Sequence, residues 1–187
     1  MISNRTTSNK YFYRRGTTLI ELMIVTAIIL ILSVLVSASY HQGRNRVLVD
    51  TQANQFAQDL RRVQEWAMAA HQISGQTKYG YGIYLTQGSN SYIIYLDDGN
   101  AGGAIIPGNG RYDIGFDTVQ ETIALEKNVE VSLCVPNPAS INYMVPNPST
   151  KIGGNDLITQ QQIEFRAKGT STVRRVVANK AGLVYVQ

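Results

Sequence analysis

The longest apolar stretch of the chain runs from Thr17 to Ala38 and contains a single charged residue, Glu21. Neither proline nor glycine interrupts these 22 residues, so nothing in them prevents a continuous helix. At about 1.5 Å per residue such a helix would be about 33 Å long, which is enough to cross a hydrocarbon core of about 30 Å. The pattern therefore predicts one membrane-spanning helix near the N-terminus, over residues 17–40.

An amphipathic pattern follows the apolar stretch and predicts that the helix continues over residues 41–75, with Gly75 at its end. Apolar residues recur here at alternating spacings of four and three, which places them on one face of a helix. A coiled coil is one use for this face, but three alanines and the lack of repeated leucines favour packing against a sheet of the same chain. The residues of this face are Val49, Ala53, Phe56, Leu60, Val63, Ala67 and Ala70.

Beyond residue 76 the chain changes to short runs rich in β-branched and aromatic residues, which predict a β-rich domain over residues 76–187. A glycine-rich loop is predicted for 97–110. A polar connection outside the core is predicted for 136–156, where Val-Pro-Asn-Pro occurs twice. A long helix packed on a mainly antiparallel sheet gives an α+β fold. The predicted strands are 79–86, 91–96, 121–125, 129–135, 161–166, 172–178 and 183–186, with a hairpin turn at 87–90.

Positive charge is concentrated at the N-terminus, where Arg5, Lys10, Arg14 and Arg15 occur without any acidic residue before position 17. The whole chain has 17 basic and 13 acidic residues, so removing those four leaves 17 − 4 = 13 basic residues against 13 acidic ones. This balance argues against a generally basic protein that coats nucleic acid. A basic cluster directly before an apolar span instead favours a cytoplasmic N-terminus and an exported C-terminal part.

Three interpretations of the apolar stretch are open, and Glu21 separates them. A cleaved signal peptide would have a shorter apolar core followed by small residues, which Ser37-Ala38-Ser39 could supply. A plain membrane anchor fits the length but leaves Glu21 unexplained, because a carboxylate within such a helix costs on the order of 2–3 kcal/mol. A helix that is retained and assembled with neighbours accounts for both features, since a partner can then compensate the charge.

The residues around Gly16 resemble the class III signal of type IV prepilins, because Arg14-Arg15-Gly16 precede Thr-Thr-Leu-Ile-Glu-Leu-Met-Ile-Val. The resemblance implies that residues 1–16 are a leader peptide, which a prepilin peptidase removes by cutting after Gly16 on the cytoplasmic side. It also implies methylation of the new N-terminus at Thr17, where the family commonly has phenylalanine. Glu21 would then be the fifth residue of the mature chain, and its carboxylate would attract the N-terminal amine of a neighbouring subunit.

The same resemblance implies the fold, the location and the partners. The fold would be the pilin fold, in which the N-terminal helix packs on the β-sheet domain. The chain would cross the cytoplasmic membrane once, with its globular domain exported, and would later enter a pilus or pseudopilus. Its partners would be other pilins or pseudopilins, the prepilin peptidase, the inner-membrane assembly platform and membrane lipid.

Four further segments resemble the GspH/FimT branch of minor pilins and pseudopilins. This branch implies a structural subunit of a type IV pilus or of a type II secretion filament. Two alternatives stay open, namely a minor pilin that binds DNA during uptake and a membrane-anchored exported domain that does not polymerise. The four segments are 56–62, 81–84, 163–165 with Gly169, and 181–186.

No catalytic motif accompanies either histidine, His41 or His71, and the sequence has no phosphate loop or dinucleotide fingerprint. We therefore predict no enzymatic activity, no catalytic residue and no cofactor. The single cysteine, Cys134, excludes an internal disulfide and is predicted to be a small buried residue of a strand.

Two polar clusters are candidates for binding. Oxygen-bearing side chains crowd the glycine-rich loop and suit Ca²⁺, although Asx-turn hydrogen bonds are the simpler explanation. These side chains are Asp97, Asp98, Asn100, Asn109, Asp113 and Asp117. Cations near the C-terminus suit DNA phosphates, although neighbouring residues of a strand face opposite sides and a charged edge strand is the alternative. These cations are Arg166, Lys168, Arg174, Arg175 and Lys180.

Overall fold

The computed structural model describes residues 17–69, 79–99, 108–145 and 149–187. The chain divides into two compact units, residues 1–41 and residues 42–187. One helix and nine strands lie within the described residues, and they confirm the predicted α+β fold. The elements are α1 (Leu19–Met68), β1 (Gly80–Leu85), β2 (Ser91–Asp97), β3 (Thr118–Ala124), β4 (Val129–Val135), β5 (Ala139–Met144), β6 (Thr150–Ile152), β7 (Gln160–Ala167), β8 (Val173–Asn179) and β9 (Val184–Val186).

The amphipathic part of α1 packs as its pattern predicts. Six side chains of the predicted apolar face have no solvent exposure at all, which confirms that the helix packs on the chain's own sheets. The predicted end of the helix, from Ala70 to Gly75, lies outside the described residues. The six buried residues are Val49, Ala53, Phe56, Leu60, Val63 and Ala67.

The strands form two antiparallel sheets, one ordered β3-β2-β1-β5-β6 and the other β4-β7-β8-β9. The hairpin predicted around residues 87–90 is confirmed, since β1 and β2 pair with Tyr84 opposite Ile93 across that turn. The predicted bounds of β4 are also confirmed, and Cys134 is buried in this strand as predicted. Burial raises the pKa of the Cys134 thiol to about 11, so the side chain stays protonated at neutral pH.

The polar connection predicted for 136–156 is wrong, because this segment contains β5 and β6. Strand β5 lies inside the first sheet between β1 and β6, and the side chain of Ile141 is fully buried. The prediction followed the two flanking Val-Pro-Asn-Pro runs, although the residues of β5 alternate between apolar and polar as a strand does. Ser140 and Asn142 are nevertheless buried, because the second face of the sheet is covered as well.

Phe56 joins the helix to both sheets. Its ring meets the ring of Tyr92 on β2 edge-on, with centroids 5.0 Å apart, and the ring of Phe165 on β7 at 5.3 Å. All three side chains are at most 1% exposed. Each such aromatic pair contributes about 0.5–1.5 kcal/mol beyond the area that it buries. The helix therefore fixes the position of one sheet relative to the other.

A buried hydrogen bond adds a polar link between the helix and the first sheet. The hydroxyl of Tyr92 donates to Oδ2 of Asp59 at 2.5 Å, and the pKa of Tyr92 is raised by burial and by this bond. Arg62 lies 3.2 Å from Asp59 and 3.0 Å from Glu121 on β3, so the carboxylate that accepts the bond is itself compensated. The bond is directional and therefore sets the register of the helix along the sheet.

The outer face of the first sheet depends on Gly82. A Cβ atom at this position would lie 2.5 Å from Cζ of Tyr95, so only glycine lets the tyrosine ring lie across β1. The Tyr95 hydroxyl is hydrogen-bonded to Oγ of Ser140 at 3.0 Å and accepts a bond from Nδ2 of Asn142 at 3.2 Å. Tyr112 covers this arrangement, with its ring centroid 5.1 Å from that of Tyr95.

The residues that follow β2 are held over the outer face by carboxylates that accept backbone N–H bonds. Asp97 is 1% exposed and accepts from Gly99 at 3.1 Å and from Gly110 at 2.9 Å. Asp117 accepts from Asp98 at 3.2 Å and from Asp113 at 2.7 Å. Burial raises the pKa of both Asp97 and Asp117, in the case of Asp117 to about 6, and the nearby Asp113 charge acts in the same direction.

Acidification is expected to stabilise this part of the fold. Because the folded state holds a proton on Asp117 below pH 6 while the unfolded chain releases it down to about pH 4, the free energy of unfolding rises as the pH falls through that window. After allowance for partial exposure, we expect about 1 kcal/mol between pH 7 and pH 5. Urea unfolding of a fragment starting at Arg44 should show this gain, and Asp117→Asn should remove the share that Asp117 contributes.

Asp156→Asn is the matched control. The pKa of Asp156 is lowered, chiefly by its hydrogen bond from Lys151. The contribution of Asp156 to the free energy of unfolding is therefore lost only as the pH falls below the ordinary pKa range of an aspartate. This substitution should leave the change in stability between pH 7 and pH 5 intact. If Asp117→Asn also left that change intact, the proposed titration of Asp117 would be wrong.

Candidate functional site

The N-terminal part of α1 exposes a surface that is apolar except for Glu21 and a few hydroxyl side chains. Leu19–Ser37 has a mean hydropathy of 2.9, and none of it is buried. At about 1.5 Å per residue this segment is about 28 Å long, which is the length needed to cross a membrane. A helix that is apolar on every side is stable only where lipid or other apolar helices cover it. The segment therefore fits a membrane anchor, as predicted.

Glu21 lies in the first turn of this helix, and Thr18 precedes the turn as its N-cap. The backbone N–H of Glu21 donates to Oγ1 of Thr18 at 3.3 Å, and the N–H of Leu22 donates to the carbonyl of Thr18 at 3.2 Å. Thr-Leu-Ile-Glu is the capping-box spacing, in which a threonine and a glutamate three residues later satisfy the free N–H groups of a helix start. This spacing is local in the sequence, so it marks the start of the helix without reference to the tertiary structure.

The capping geometry leaves the charge of Glu21 available to another molecule. The carboxylate is exposed, and no cation lies within ion-pair distance of it among the described residues. A negative charge at a helix N-terminus is stabilised by the free N–H groups there, by about 0.3–1 kcal/mol. Thr17 is exposed and precedes the helix, whereas Gly16 lies outside the described residues.

The five C-terminal cations that the sequence offered for DNA binding do not form one surface. Each contacts an acceptor of the same chain, and four of the five acceptors are carboxylates. The pairs are Arg166 with Glu130 at 2.7 Å, Lys168 with Asn90 at 3.1 Å, Arg174 with Asp50, Arg175 with Glu164 at 3.2 Å, and Lys180 with Asp156 at 3.6 Å. The positive charge of this stretch is therefore compensated locally.

Arg174 and Arg175 face opposite sides of β8. Arg175 lies opposite Glu164 in the pairing of β7 with β8, and it pairs with that carboxylate on the outer face of the sheet. Arg174 lies opposite Phe165, on the face that packs against α1, and it reaches Asp50 of the helix from there. A phosphate backbone that runs along one face of the sheet therefore reaches only one of the two guanidinium groups.

The carboxylates of the loop after β2 already have partners. Asp97 and Asp117 accept backbone N–H bonds, Asp98 accepts from Thr118, and Oδ2 of Asp113 accepts from Nδ2 of Asn109 at 2.5 Å. Over the ranges 17–69, 79–99, 108–145 and 149–187 no group of three metal-binding side chains comes together. Asn100, the remaining residue of the proposed calcium set, lies outside those ranges.

A depression of about 360 Å³ lies beside this loop and has no catalytic arrangement in its described lining. Tyr84 and Tyr112 form one wall, with ring centroids 4.8 Å apart, and Arg111 and Asp113 form an ion pair of 3.0 Å at its edge. The described lining includes neither histidine nor cysteine, and the hydroxyl of its Ser140 is hydrogen-bonded to the Tyr95 hydroxyl and accepts from the backbone N–H of Tyr112.

Comparison with known proteins identifies the N-terminal segment. Residues 12–37 match the family described as the prokaryotic N-terminal methylation motif, which includes Gly16, Thr17 and Glu21. No curated protein and no solved structure matches the chain. The motif ends at the residue where the exposed apolar segment ends, and an α+β unit follows it. The signal for prepilin peptidase continues directly into a helix that fits a membrane anchor, and the same helix continues into the α+β unit. These features together support a type IV pilin-like protein.

Proposed function

We propose that the chain is a minor pilin or pseudopilin, a structural subunit of a type IV pilus or of a type II secretion filament. In this proposal prepilin peptidase cuts after Gly16, Thr17 becomes the methylated N-terminus, and Glu21 directs assembly. The partners are other pilins or pseudopilins and the inner-membrane assembly platform. The resemblance of segments such as 56–62 and 181–186 supports placement in the GspH/FimT branch.

One observation carries the proposal: an exposed apolar helix whose first turn holds a carboxylate that has no ion-pair partner among the described residues. The apolar surface needs lipid before assembly and other helices after it. The carboxylate of Glu21 is costly within a membrane unless a cation compensates it, and cleavage after Gly16 would create a cation at Thr17 of every subunit. The amine of one subunit then compensates the carboxylate of the next, which favours one axial register.

The proposed orientation places the N-terminus in the cytoplasm and residues 42–187 outside it. The four basic residues before Gly16 support this orientation, since cytoplasmic flanks carry the excess of positive charge. DNA binding is a second, weaker candidate function, because the C-terminal cations are engaged in pairs within the chain. A third alternative, a membrane-anchored domain that never polymerises, gives Glu21 no role.

The first prediction concerns processing. Intact-mass analysis of membrane-extracted protein should give a mature chain that begins at Thr17, because the basic residues and Gly16 precede the apolar helix directly. Gly16→Glu should leave the precursor uncut. Gly43→Glu is the control, since a Cβ at Gly43 meets nothing within 4 Å and the position is remote from the cleavage site. A mass that includes residues 1–16, or one that starts near Ser39, would contradict the proposal.

The second prediction separates the charge of Glu21 from its capping role. Glu21→Val should insert into membranes as well as wild type or better, because it removes a costly charge. Glu21→Gln retains a polar partner for the capping box but loses the charge. Both variants should enter filaments about tenfold less than wild type, since a charge-assisted hydrogen bond contributes about 1.5–3 kcal/mol. Incorporation is measured by immunoblotting of sheared filaments against membrane fractions.

Thr18→Ala is the matched control for the second prediction. It removes the N-cap acceptor, at a cost of about 1 kcal/mol to the helix start, but retains the carboxylate of Glu21. It should therefore enter filaments more efficiently than Glu21→Gln. Wild-type incorporation of Glu21→Gln would show that the charge is not an assembly device in this protein.

The third prediction concerns DNA. A fragment starting at Arg44 should bind duplex DNA weakly or not at all, because four of its five C-terminal cations pair with neighbouring carboxylates. Any binding should fall with salt at a log–log slope of about −0.9 per phosphate contact and should show little base preference. Gel-shift titrations at two salt concentrations test this, with Arg174→Ala/Arg175→Ala compared with Arg111→Ala/Lys127→Ala. Tight binding lost only in the first double variant would place DNA uptake above the structural role.

A further inference from the structure

A second depression, of about 310 Å³, lies within the unit formed by residues 42–187. Arg46 of α1 lines one side of it, and Ser171, Thr172, Val173 and Arg174, at the start of β8, line the other. The lining brings together two guanidinium groups and two hydroxyl groups from distant parts of the sequence. All four are hydrogen-bond donors, and none of the described residues that line the depression is acidic.

The two arginines differ in how they are held. Arg174 forms an ion pair with Asp50, and its Nη1 also donates to the carbonyl of Val173 at 3.4 Å. This leaves part of its guanidinium fork free while its position is fixed. Arg46 is exposed, and within the part of the chain that the structure describes it has no carboxylate in ion-pair distance. Asp50 thus compensates one charge, and one positive charge is left over at the depression.

This donor set suits a phosphate group. Guanidinium groups bind phosphate oxygens through two parallel N–H bonds, and hydroxyl groups supply further donors at the same site. In the described residues the side-chain hydroxyls of Ser171 and Thr172 form no hydrogen bond with other groups of the protein. The site is large enough for one phosphate and its attached group, whereas a duplex needs several phosphate contacts along a groove.

The position of Arg46 in the sequence indicates where the phosphate comes from. Arg46 follows the end of the apolar segment at Ser37 by nine residues, and no acidic residue occurs between Glu21 and Asp50. Tyr40, which lies between Ser37 and Arg46, is 68% exposed. Tyrosines are enriched at the headgroup level of membranes. Basic residues close to a membrane span bind anionic phospholipid.

We propose that the depression lined by Arg46 and Arg174 binds the headgroup phosphate of an anionic phospholipid. The lipid phosphate accepts hydrogen bonds from both guanidinium groups and from the hydroxyls of Ser171 and Thr172. Binding orients the globular unit on the membrane surface before the subunit enters a filament, and it is lost when the subunit leaves the bilayer. This role is independent of the charge of Glu21 and of cleavage after Gly16.

Native mass spectrometry of the full chain released from detergent micelles tests the proposal. The chain is offered equal amounts of phosphatidylglycerol and of diacylglycerol with the same acyl chains. Wild type should retain phosphatidylglycerol about tenfold over diacylglycerol, and Arg46→Gln should reduce this preference to about twofold or less. Arg44→Gln is the matched control, since Arg44 is an exposed arginine of the same helix that does not line the depression. It should keep most of the preference.

A second variant and two competition experiments complete the test of lipid binding. Thr172→Val keeps the shape and charge of the site and should reduce the preference by about threefold. Equal losses in Arg46→Gln and Arg44→Gln, or no preference in wild type, would overturn the proposal. Displacement of the lipid by millimolar inorganic phosphate would assign the site to a free anion, and binding of a duplex oligonucleotide through Arg46 would assign it to DNA. Either result would also overturn it.

Discussion

The unit formed by residues 42–187 depends on the burial of one helical face between two sheets. Phe56 contacts Tyr92 of the first sheet and Phe165 of the second, so the two sheets share one core through α1. Neither sheet could bury its inner face without this helix, because a sheet with one apolar face needs a second layer. Loss of an aromatic side chain at such a position costs about 3–5 kcal/mol, which is a large part of the stability of a domain of this size.

The distribution of apolar side chains differs between the two parts of α1. Residues 19–37 are exposed and, apart from Glu21 and a few hydroxyl side chains, apolar, whereas residues 49–67 present one buried face with polar residues opposite it. The first pattern requires a surrounding of lipid or of other helices, and the second is satisfied within the chain. In the proposed filament, neighbouring helices take the place of lipid around the first segment. Glu21, which has no ion-pair partner in the described part of the chain, is the residue proposed to set the register of that packing.

Charge pairing within the globular unit decides which cations are available to partners. The arginines on β8 form ion pairs with Asp50 and Glu164, and exposed pairs of this kind contribute about 0–1 kcal/mol to stability. Their larger effect is on recognition, because a compensated guanidinium attracts a phosphate less strongly than a free one. Arg46, which follows the apolar segment by nine residues in the sequence, has no carboxylate within ion-pair distance among the described residues.

The sequence by itself determined the features that local patterns specify. The apolar span, the buried helical face, the bounds of β4 and the prepilin motif were all readable, because a membrane span, a helical period and a peptidase signal depend on residues close together in the chain. Only the tertiary structure decided that β5 belongs to the core. Its Ser140 and Asn142 are buried because Tyr95, on a strand more than forty positions away, supplies their hydrogen-bond partner. The ion pair of Arg174 with Asp50 was hidden for the same reason, since contacts between distant residues form only when the sheets pack on the helix.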